Sequence, residues 1–303
     1  MSARAWTLFG TVSFLWGIPY MVIAIAVEDG VPPAFLAWFR VLLAAIILLP
    51  VVWRAGLLGA LRGRWNWIVP YAILEIIIPF PLIATGEQHV SSSVTAILIA
   101  ATPLIVALLA IRFDHSERVR GTRLGGLLIG LLGVGLLVGV DIVGSREELL
   151  GAVAILVAAV GYAAGPMMLK RKLGDLDARA TMLGTLAVAA VALTPLAIWD
   201  PPTSAARTTE AVSSLVVLGV FCTAAAFVAF GSLVRDVGAG RALVLTYVAP
   251  VVAIGAGIIV LGDRPGPGAI AGLALIIVGS YLATGGGPPR RAASPGVPAA
   301  PEV

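Results

Sequence analysis

Cysteine and histidine are almost absent from this sequence. Cys222 is the only cysteine among 303 residues, and His89 and His115 are the only histidines. A single cysteine forms no intrachain disulfide and no cysteine-based metal site. With so few ligands, we expect no metal and no cofactor, and a soluble metalloenzyme is disfavoured.

Charge is scarce as well. Asp, Glu, Lys and Arg make up 12% of the chain, about half of the roughly 25% found in soluble domains. Hydrophobic residues make up 59%, and the mean hydropathy is +1.03. The sequence therefore predicts an all-α integral membrane protein, with the lipid bilayer as a partner. Its net charge of +4 does not indicate nucleic acid binding, because the basic residues lie in short runs between apolar segments.

Apolar stretches near the roughly 20 residues that span a bilayer recur along the chain. Ten of them are apparent, at 6–27, 34–53, 67–86, 90–111, 121–140, 150–169, 180–199, 212–234, 239–261 and 267–285. Residues 286–303 are rich in Pro, Ala and Gly and have little to bury, which predicts a disordered cytoplasmic tail.

The Lys and Arg residues support ten transmembrane helices. With the N-terminus in the cytoplasm, 16 of the 20 basic residues fall in cytoplasmic segments, three fall in outer loops, and Arg40 lies within a span. Cytoplasmic loops of membrane proteins carry such an excess. The pattern predicts a multi-pass protein of the plasma or inner membrane with both termini in the cytoplasm.

An internal repeat relates the two halves of the chain. Residues 101–136 and 249–282 share a proline in one helix, an acidic-basic pair in the next loop and a glycine-rich helix. The matches at an offset of 146 are Glu117-Arg118 with Asp263-Arg264, Gly126 with Gly272, and Gly133 with Gly279. Five helices per half, an odd number, predict two inverted five-helix repeats over 6–140 and 150–285, the architecture of many secondary transporters. The alternative is a chance likeness between Ala- and Gly-rich helices.

Several short motifs resemble those of the drug/metabolite transporter superfamily, in particular its EamA-type two-repeat members. Trp16-Gly17 with Tyr20, Pro33 to Arg40, and Pro103 followed by Glu117-Arg118 occur in the order found in that family. In the second half the Trp-Gly pair is missing. The resemblance implies ten helices, inverted repeats and export of small metabolites, amino acids or drugs, and it implies no single substrate.

Arg40 and Glu75 are the only charged residues well inside predicted spans. Such residues are costly in hydrocarbon and usually face the protein interior or a cavity. We expect Arg40 to lie within reach of Glu75, with two interpretations open. The pair fixes helix packing, or Glu75 takes up a coupling proton or contacts substrate.

Further polar and aromatic residues within spans are candidates for a pocket, with helix–helix contacts as the alternative role for each. They are Trp16, Tyr20, Ser92, Thr95, Tyr162, Thr246 and Tyr247. Pro79, Pro81, Pro103 and Pro250 are candidate kinks or hinges, since proline removes a helical hydrogen bond. Glu87 and His89 lie at the outer rim, where packing is a simpler explanation than gating.

These features predict a secondary active transporter, a small-molecule exporter for which proton coupling is one option. An integral membrane enzyme is the first alternative, but no catalytic constellation at one depth is apparent, so we expect no enzyme activity. A channel is the second, but neither subunit symmetry nor a ring of like charge is evident. No Walker motif for ATP binding is present either.

Overall fold

The fold was obtained as a computed structural model, and it describes residues 2–113, 121–139, 145–204, 206, 208–237, 242 and 245–283. Every regular element among these residues is helical. The predicted tail 286–303, the pair Glu117-Arg118 and the loop residues 140–144 lie outside the described residues. The expectation of an all-helical chain is confirmed for the described part.

Ten apolar helical segments occupy the ten predicted stretches. They are α1 (Ala3–Glu28), α2 (Pro33–Arg54), α3 (Trp65–Gly86), α4 (Ser92–Leu109), α5 (Thr122–Leu137), α6 (Arg146–Leu173), α7 (Ala178–Trp199), α8 (Thr209–Val237), α9 (Leu245–Leu261) and α10 (Pro267–Ala283). Seven of these segments are long and apolar enough to cross a membrane. The other three, α5, α9 and α10, are shorter apolar helices among the described residues.

Helix α6 is longer than the apolar stretch from which it was predicted. The Ser145 side chain caps its N-terminus by accepting hydrogen bonds from the backbone N–H groups of Glu147 and Glu148. At the other end, a π-helical turn over Leu169–Leu173 carries three basic residues. Basic side chains at a helix end extend their charge toward water, so the charged run that marks the end of the apolar stretch does not end the helix.

Helix α1 contains a break. Its α-helical segments Ala3–Gly17 and Pro19–Glu28 meet at Ile18, and Pro19 begins the second segment. A proline suits the first position of a helix because the backbone N–H that it lacks would have no helical partner there. The two parts of α1 pack in different apolar clusters, Val12 in one and Val22 in another.

Ion pairs and hydrogen bonds between loops show which helix ends lie on the same side of the bundle. Arg4 at the start of α1 pairs with Asp236 at the end of α8, and Arg64 before α3 pairs with Asp175 after α6. We call this the proximal end. At the opposite, distal end, the Thr208 hydroxyl donates to Asp29.

Helices α5 and α10 pack against each other through glycines that allow close backbone approach. A Cβ atom on Gly133 would lie 2.7 Å from the Gly272 carbonyl oxygen, and one on Gly126 would lie 2.8 Å from that of Gly279. The two helices therefore run antiparallel. Gly126 matches Gly272 in the sequence repeat but contacts Gly279, and Gly133 matches Gly279 but contacts Gly272.

The central part of the bundle is built from helices of both halves. Helix α2 packs on α7 and α8, and α3 packs on α6 and α7. Their buried faces form one apolar core that includes Val41, Leu48, Ile76 and Leu186. This packing brings the charged residues of α2 and α3 against helices of the second half.

Candidate functional site

Arg40 lies on α2, where that helix faces α8. It is only 8% exposed. Its Nε donates a 2.7 Å hydrogen bond to Thr223 Oγ1, and its guanidinium lies 4.3 Å from the centre of the Phe80 ring. Thr223 in turn donates to the Leu218 carbonyl oxygen, five residues earlier in a π-helical turn. The terminal nitrogens of Arg40 donate to no side chain or carbonyl among the described residues.

Glu75 lies in the middle of α3, in a π-helical turn over Ile73–Ile77. Such single π-turns within α-helices often occur at functional sites. Its Oε2 atom is buried and has no hydrogen-bond partner among the described residues. That oxygen lies directly against Gly165 of α6, where a Cβ atom would collide with it. The carboxyl group therefore occupies space that a glycine of the second half leaves open.

Tyr162 links the surroundings of the two charges. It lies on α6 one turn before Gly165, partly buried between two apolar clusters. It is close enough to interact electrostatically with Arg40, Glu75 and Tyr20. Five helices thus contribute polar groups to one region between the halves, which we call the central site: Tyr20, Arg40, Glu75, Tyr162 and Thr223.

A second polar group lies at the distal end. The Asp263 Oδ2 atom, in the loop between α9 and α10, accepts hydrogen bonds from Ser92 Oγ (2.9 Å), Ser93 Oγ (2.7 Å) and Ser93 N (2.9 Å). These donors form the first turn of α4. Glu87, which follows α3, is near enough to Asp263 for their charges to interact. This contact also joins the first half to the second.

Two predicted site residues, Trp16 and Thr95, are placed away from the central site or inside helix packing. Trp16 packs on Phe227 and Phe230 of α8, with ring centroids 5.6 and 4.8 Å apart. Trp16 and Tyr20 pack in different apolar clusters. Thr95 is fully buried in α4, and its hydroxyl donates to the Ser91 carbonyl oxygen.

The remaining predicted residues lie on α3, α4 and α9. Thr246 and Tyr247 are partly buried in the first described turn of α9. Pro79 begins the α-helical segment that follows the π-turn of Glu75, and Pro81 lies in the same segment. Pro103 follows a break at Ala101, whereas Pro250 lies within the uninterrupted segment Leu245–Ala256. Their roles as hinges stay predictions.

The expected contact between Arg40 and Glu75 is not formed. Arg40 is directed to α8 and Glu75 to α6, and no ion pair within 4 Å joins them in the described part of the chain. Arg40 instead lies against Phe80, which is five residues further along α3 than Glu75. Sequence reasoning also missed Thr223 and Gly165, although a lone threonine in an apolar run was a signal for the former.

Metal binding finds no support in the described residues. They contain no group of three or more His, Cys, Asp or Glu side chains that could hold a metal ion. The central site instead offers a guanidinium, a carboxyl, two phenols and a hydroxyl. Groups of this kind bind polar organic molecules by hydrogen bonds and ion pairing.

A chain of long apolar helices with polar groups buried between its halves is typical of a membrane transporter. The family model described as "EamA-like transporter family" matches residues 5–139 and 149–285. This chain belongs to that family, and it is a multi-pass membrane transporter.

Relatives with similar sequences agree with this assignment. The chain is 27% identical to "Uncharacterized transporter YwfM" of Bacillus subtilis, covering 92% of this chain and 93% of the relative. It is 28% identical to "Uncharacterized inner membrane transporter YedA" of Escherichia coli, covering 82% and 80%. A crystal structure with 20% identity is similar over 94% of this chain and 97% of the other, with a TM-score of 0.64. At that identity, the similarity shows the fold alone.

Proposed function

We propose that this transporter is a secondary carrier that exports a small organic molecule by alternating access at the central site. The observation that carries the proposal is the Glu75 carboxyl, which is buried at the interface between the halves without a partner for Oε2. An unpaired carboxyl in a membrane protein is expensive to keep and is usually functional. Here it lies where two halves meet, the position at which a rocking motion exposes a site to either side.

The packing of α5 on α10 supports an inverted repeat. A two-fold axis that exchanges the halves would exchange Gly126 with Gly272 and Gly133 with Gly279. It would therefore convert the contact between Gly126 and Gly279 into the contact between Gly133 and Gly272, and both contacts are present. Such self-complementary contacts are characteristic of two-fold interfaces. They support ten spans arranged as two halves of opposite orientation.

The distribution of basic residues supports a cytoplasmic proximal end. Among the described side chains outside the central site, ten basic residues lie at this end: Arg4, Arg54, Arg62, Arg64, Arg123, Lys170, Arg171, Lys172, Arg179 and Arg235. Only Arg146 and Arg264 lie at the distal end. By the positive-inside rule, the proximal end faces the cytoplasm and the distal end the outside.

Arg40 favours a substrate with an anionic group. Its guanidinium is buried, its Nε is held by Thr223, and its terminal nitrogens donate to no side chain or carbonyl among the described residues. A guanidinium binds a carboxylate through two parallel hydrogen bonds. Among the classes that the family exports, an amino acid or another carboxylate fits this site best.

Glu75 is the candidate for proton coupling. Substituting glutamine keeps the shape of the side chain and removes its titration. We expect Glu75→Gln in proteoliposomes to abolish concentrative transport driven by a pH gradient and to retain exchange of substrate across the membrane. The substrate is first identified by testing amino acids and drugs for resistance or efflux in a deletion strain.

The matched control is Glu210→Gln, which removes an exposed carboxyl in the first turn of α8. It should transport as the unaltered protein does. Normal yield and normal pH-driven transport in Glu75→Gln would overturn the coupling role. Loss of folded protein in that variant alone would assign Glu75 to packing instead.

A further inference from the structure

Two carboxyl groups from opposite halves lie near each other at the distal end. Glu87 follows the last residue of α3, and Asp263 lies in the loop between α9 and α10. Their charges are close enough to interact. The central site uses neither group, and their surroundings differ, because Asp263 accepts three hydrogen bonds whereas Glu87 accepts none from the described residues.

Asp263 is held against the first turn of α4. Three hydrogen bonds reach one of its oxygens, two from the hydroxyls of Ser92 and Ser93 and one from the Ser93 backbone N–H. The N-terminus of α4 adds a favourable partial positive charge. Gly257 provides the space, because a Cβ atom there would lie 2.6 Å from the same oxygen.

Glu87 has the opposite environment. It is 8% exposed, and both of its carboxyl oxygens are buried without a hydrogen bond from a described residue. The Thr95 hydroxyl lies beside the carboxyl but donates to the Ser91 carbonyl oxygen at 3.2 Å. An ionised carboxyl without partners is costly to bury, so the neutral form is favoured at this position.

The charged and titratable groups around Glu87 come from four other parts of the molecule. They are Tyr20 of α1, Arg40 of α2, Thr95 of α4 and Asp263 of the α9–α10 loop. His89, two residues further along the chain, is exposed. Burial raises the pKa of Glu87 well above its ordinary value and Asp263 raises it further, while Thr95 and Arg40 oppose these effects.

From this geometry we infer that Glu87 is a proton-binding site that controls the contact of Asp263 with Ser92 and Ser93, which we call the distal latch. With Glu87 protonated, the pair carries one negative charge and the latch is closed. When the O–H bond of Glu87 breaks and the proton leaves to water, the buried Glu87 anion and the half-buried Asp263 anion repel each other. Moving Asp263 away from α4 relieves this repulsion and opens the distal end.

The inference rests on the proposed alternating-access function for its meaning, but its test needs no substrate. The Ser93 backbone N–H donates directly to Asp263, so its hydrogen exchange reports whether the latch is closed. We would measure exchange by mass spectrometry on the full-length protein in lipid nanodiscs, at several pH values between 5 and 9. Rates are corrected for the intrinsic pH dependence of exchange.

In the unaltered protein, we expect the peptide containing Ser93 to exchange about tenfold faster at high pH than at low pH, because opening removes a hydrogen bond to a charged group. Glu87→Gln, which mimics the protonated form, should keep slow exchange at every pH. Asp263→Asn should exchange fast at every pH. The control Glu210→Gln should follow the unaltered protein.

Exchange at Ser93 that does not change with pH in the unaltered protein would overturn the inference, even if transport is demonstrated. Exchange at Ser93 that slows as the Na⁺ concentration is raised at constant pH would also overturn the inference. In that case a metal cation, and not a proton, would bind between Glu87 and Asp263. If Glu87→Gln fails to fold, the pH dependence of exchange at Ser93 in the unaltered protein is sufficient to test the inference. Peptides of α5 and α10 then serve as internal references. A failure to find substrate would leave these exchange results unchanged.

Discussion

Arg40 is held at the central site by a neutral group. A buried cation without a carboxylate partner depends on hydrogen bonds and on aromatic faces for its stabilisation. Thr223 and Phe80 supply one interaction of each kind, from α8 and α3. The arrangement keeps the positive charge uncompensated, as a site for an anionic substrate requires.

Thr223→Val is the substitution that tests this support. Valine has nearly the same shape as threonine but accepts no hydrogen bond, so Arg40 Nε would remain buried without a partner. We expect a loss of stability of about 1–3 kcal/mol, the cost of leaving a buried donor unpaired, seen as a lower midpoint of thermal unfolding in detergent. Thr223→Ser keeps the hydroxyl and should stay within about 1 kcal/mol of the unaltered protein. Equal midpoints for the serine and valine variants would contradict the role of the hydrogen bond.

Sequence reasoning found the charges at this scale but not their partners. Arg40 and Glu75 stand out because charge is rare in apolar segments, and their placement on neighbouring helices follows from the chain order. The contacts of Arg40 with Thr223 and of Glu75 with Gly165 depend on how each helix is rotated. Helices that are apolar on all sides carry little periodicity from which that rotation can be predicted.

Helices α5 and α10 pack closely because glycines lie at their interface. Gly126, Gly133, Gly272 and Gly279 have no side chain, so the two backbones approach closely. Without a hydrophobic effect between helices in lipid, such close packing is a main source of association. Gly135 lies on the same helix as Gly133 and faces open space.

This difference gives a matched pair of alanine substitutions. In Gly133→Ala the new methyl group would meet the Gly272 carbonyl oxygen at 2.7 Å and the Ile276 N at 3.0 Å, and a backbone cannot rotate away. We expect a loss of about 1–3 kcal/mol in stability, typical of overpacking, measured by thermal unfolding. Gly135→Ala should leave the midpoint unchanged or raise it slightly, because alanine favours the helix. Similar effects of both substitutions would contradict the packing described for α5 and α10.

The helical segments could be predicted from the sequence, but the π-turns within them could not. All ten apolar stretches are helical in the described chain, because length and hydropathy suffice to identify them. The π-turns at Ile73–Ile77 and Val217–Ala225 were not predicted. The first is followed by Pro79 and the second contains Gly219, but prolines and glycines also occur in regular helices of this chain, such as Pro250 and Gly133, so they do not mark a π-turn in the sequence. The π-turns also carry Glu75 and Thr223, so the site is least predictable where the helices are least regular.

At the scale of the whole molecule, the two halves meet through polar contacts at two depths. The central site joins Arg40 to Thr223, and the distal latch joins Asp263 to α4. The repeat in the sequence predicts that such halves are related by inversion, and the exchange of glycine contacts agrees with that relation. A motion of one half against the other would change both sets of contacts together.

The orientation of the two halves can be tested by labelling single cysteines. Cys222 is fully buried, so Cys222→Ala provides a background without an accessible thiol. Ala60→Cys and Asp175→Cys place thiols in proximal loops of the first and second half, and His89→Cys and Thr203→Cys place them in distal loops. If ten helices cross the membrane with both termini in the cytoplasm, a membrane-impermeant maleimide added to intact cells should label only the distal pair. In inverted membrane vesicles it should label only the proximal pair. Labelling of Ala60→Cys and Asp175→Cys from opposite sides would contradict the ten-span arrangement, since these loops would then be separated by an odd number of crossings.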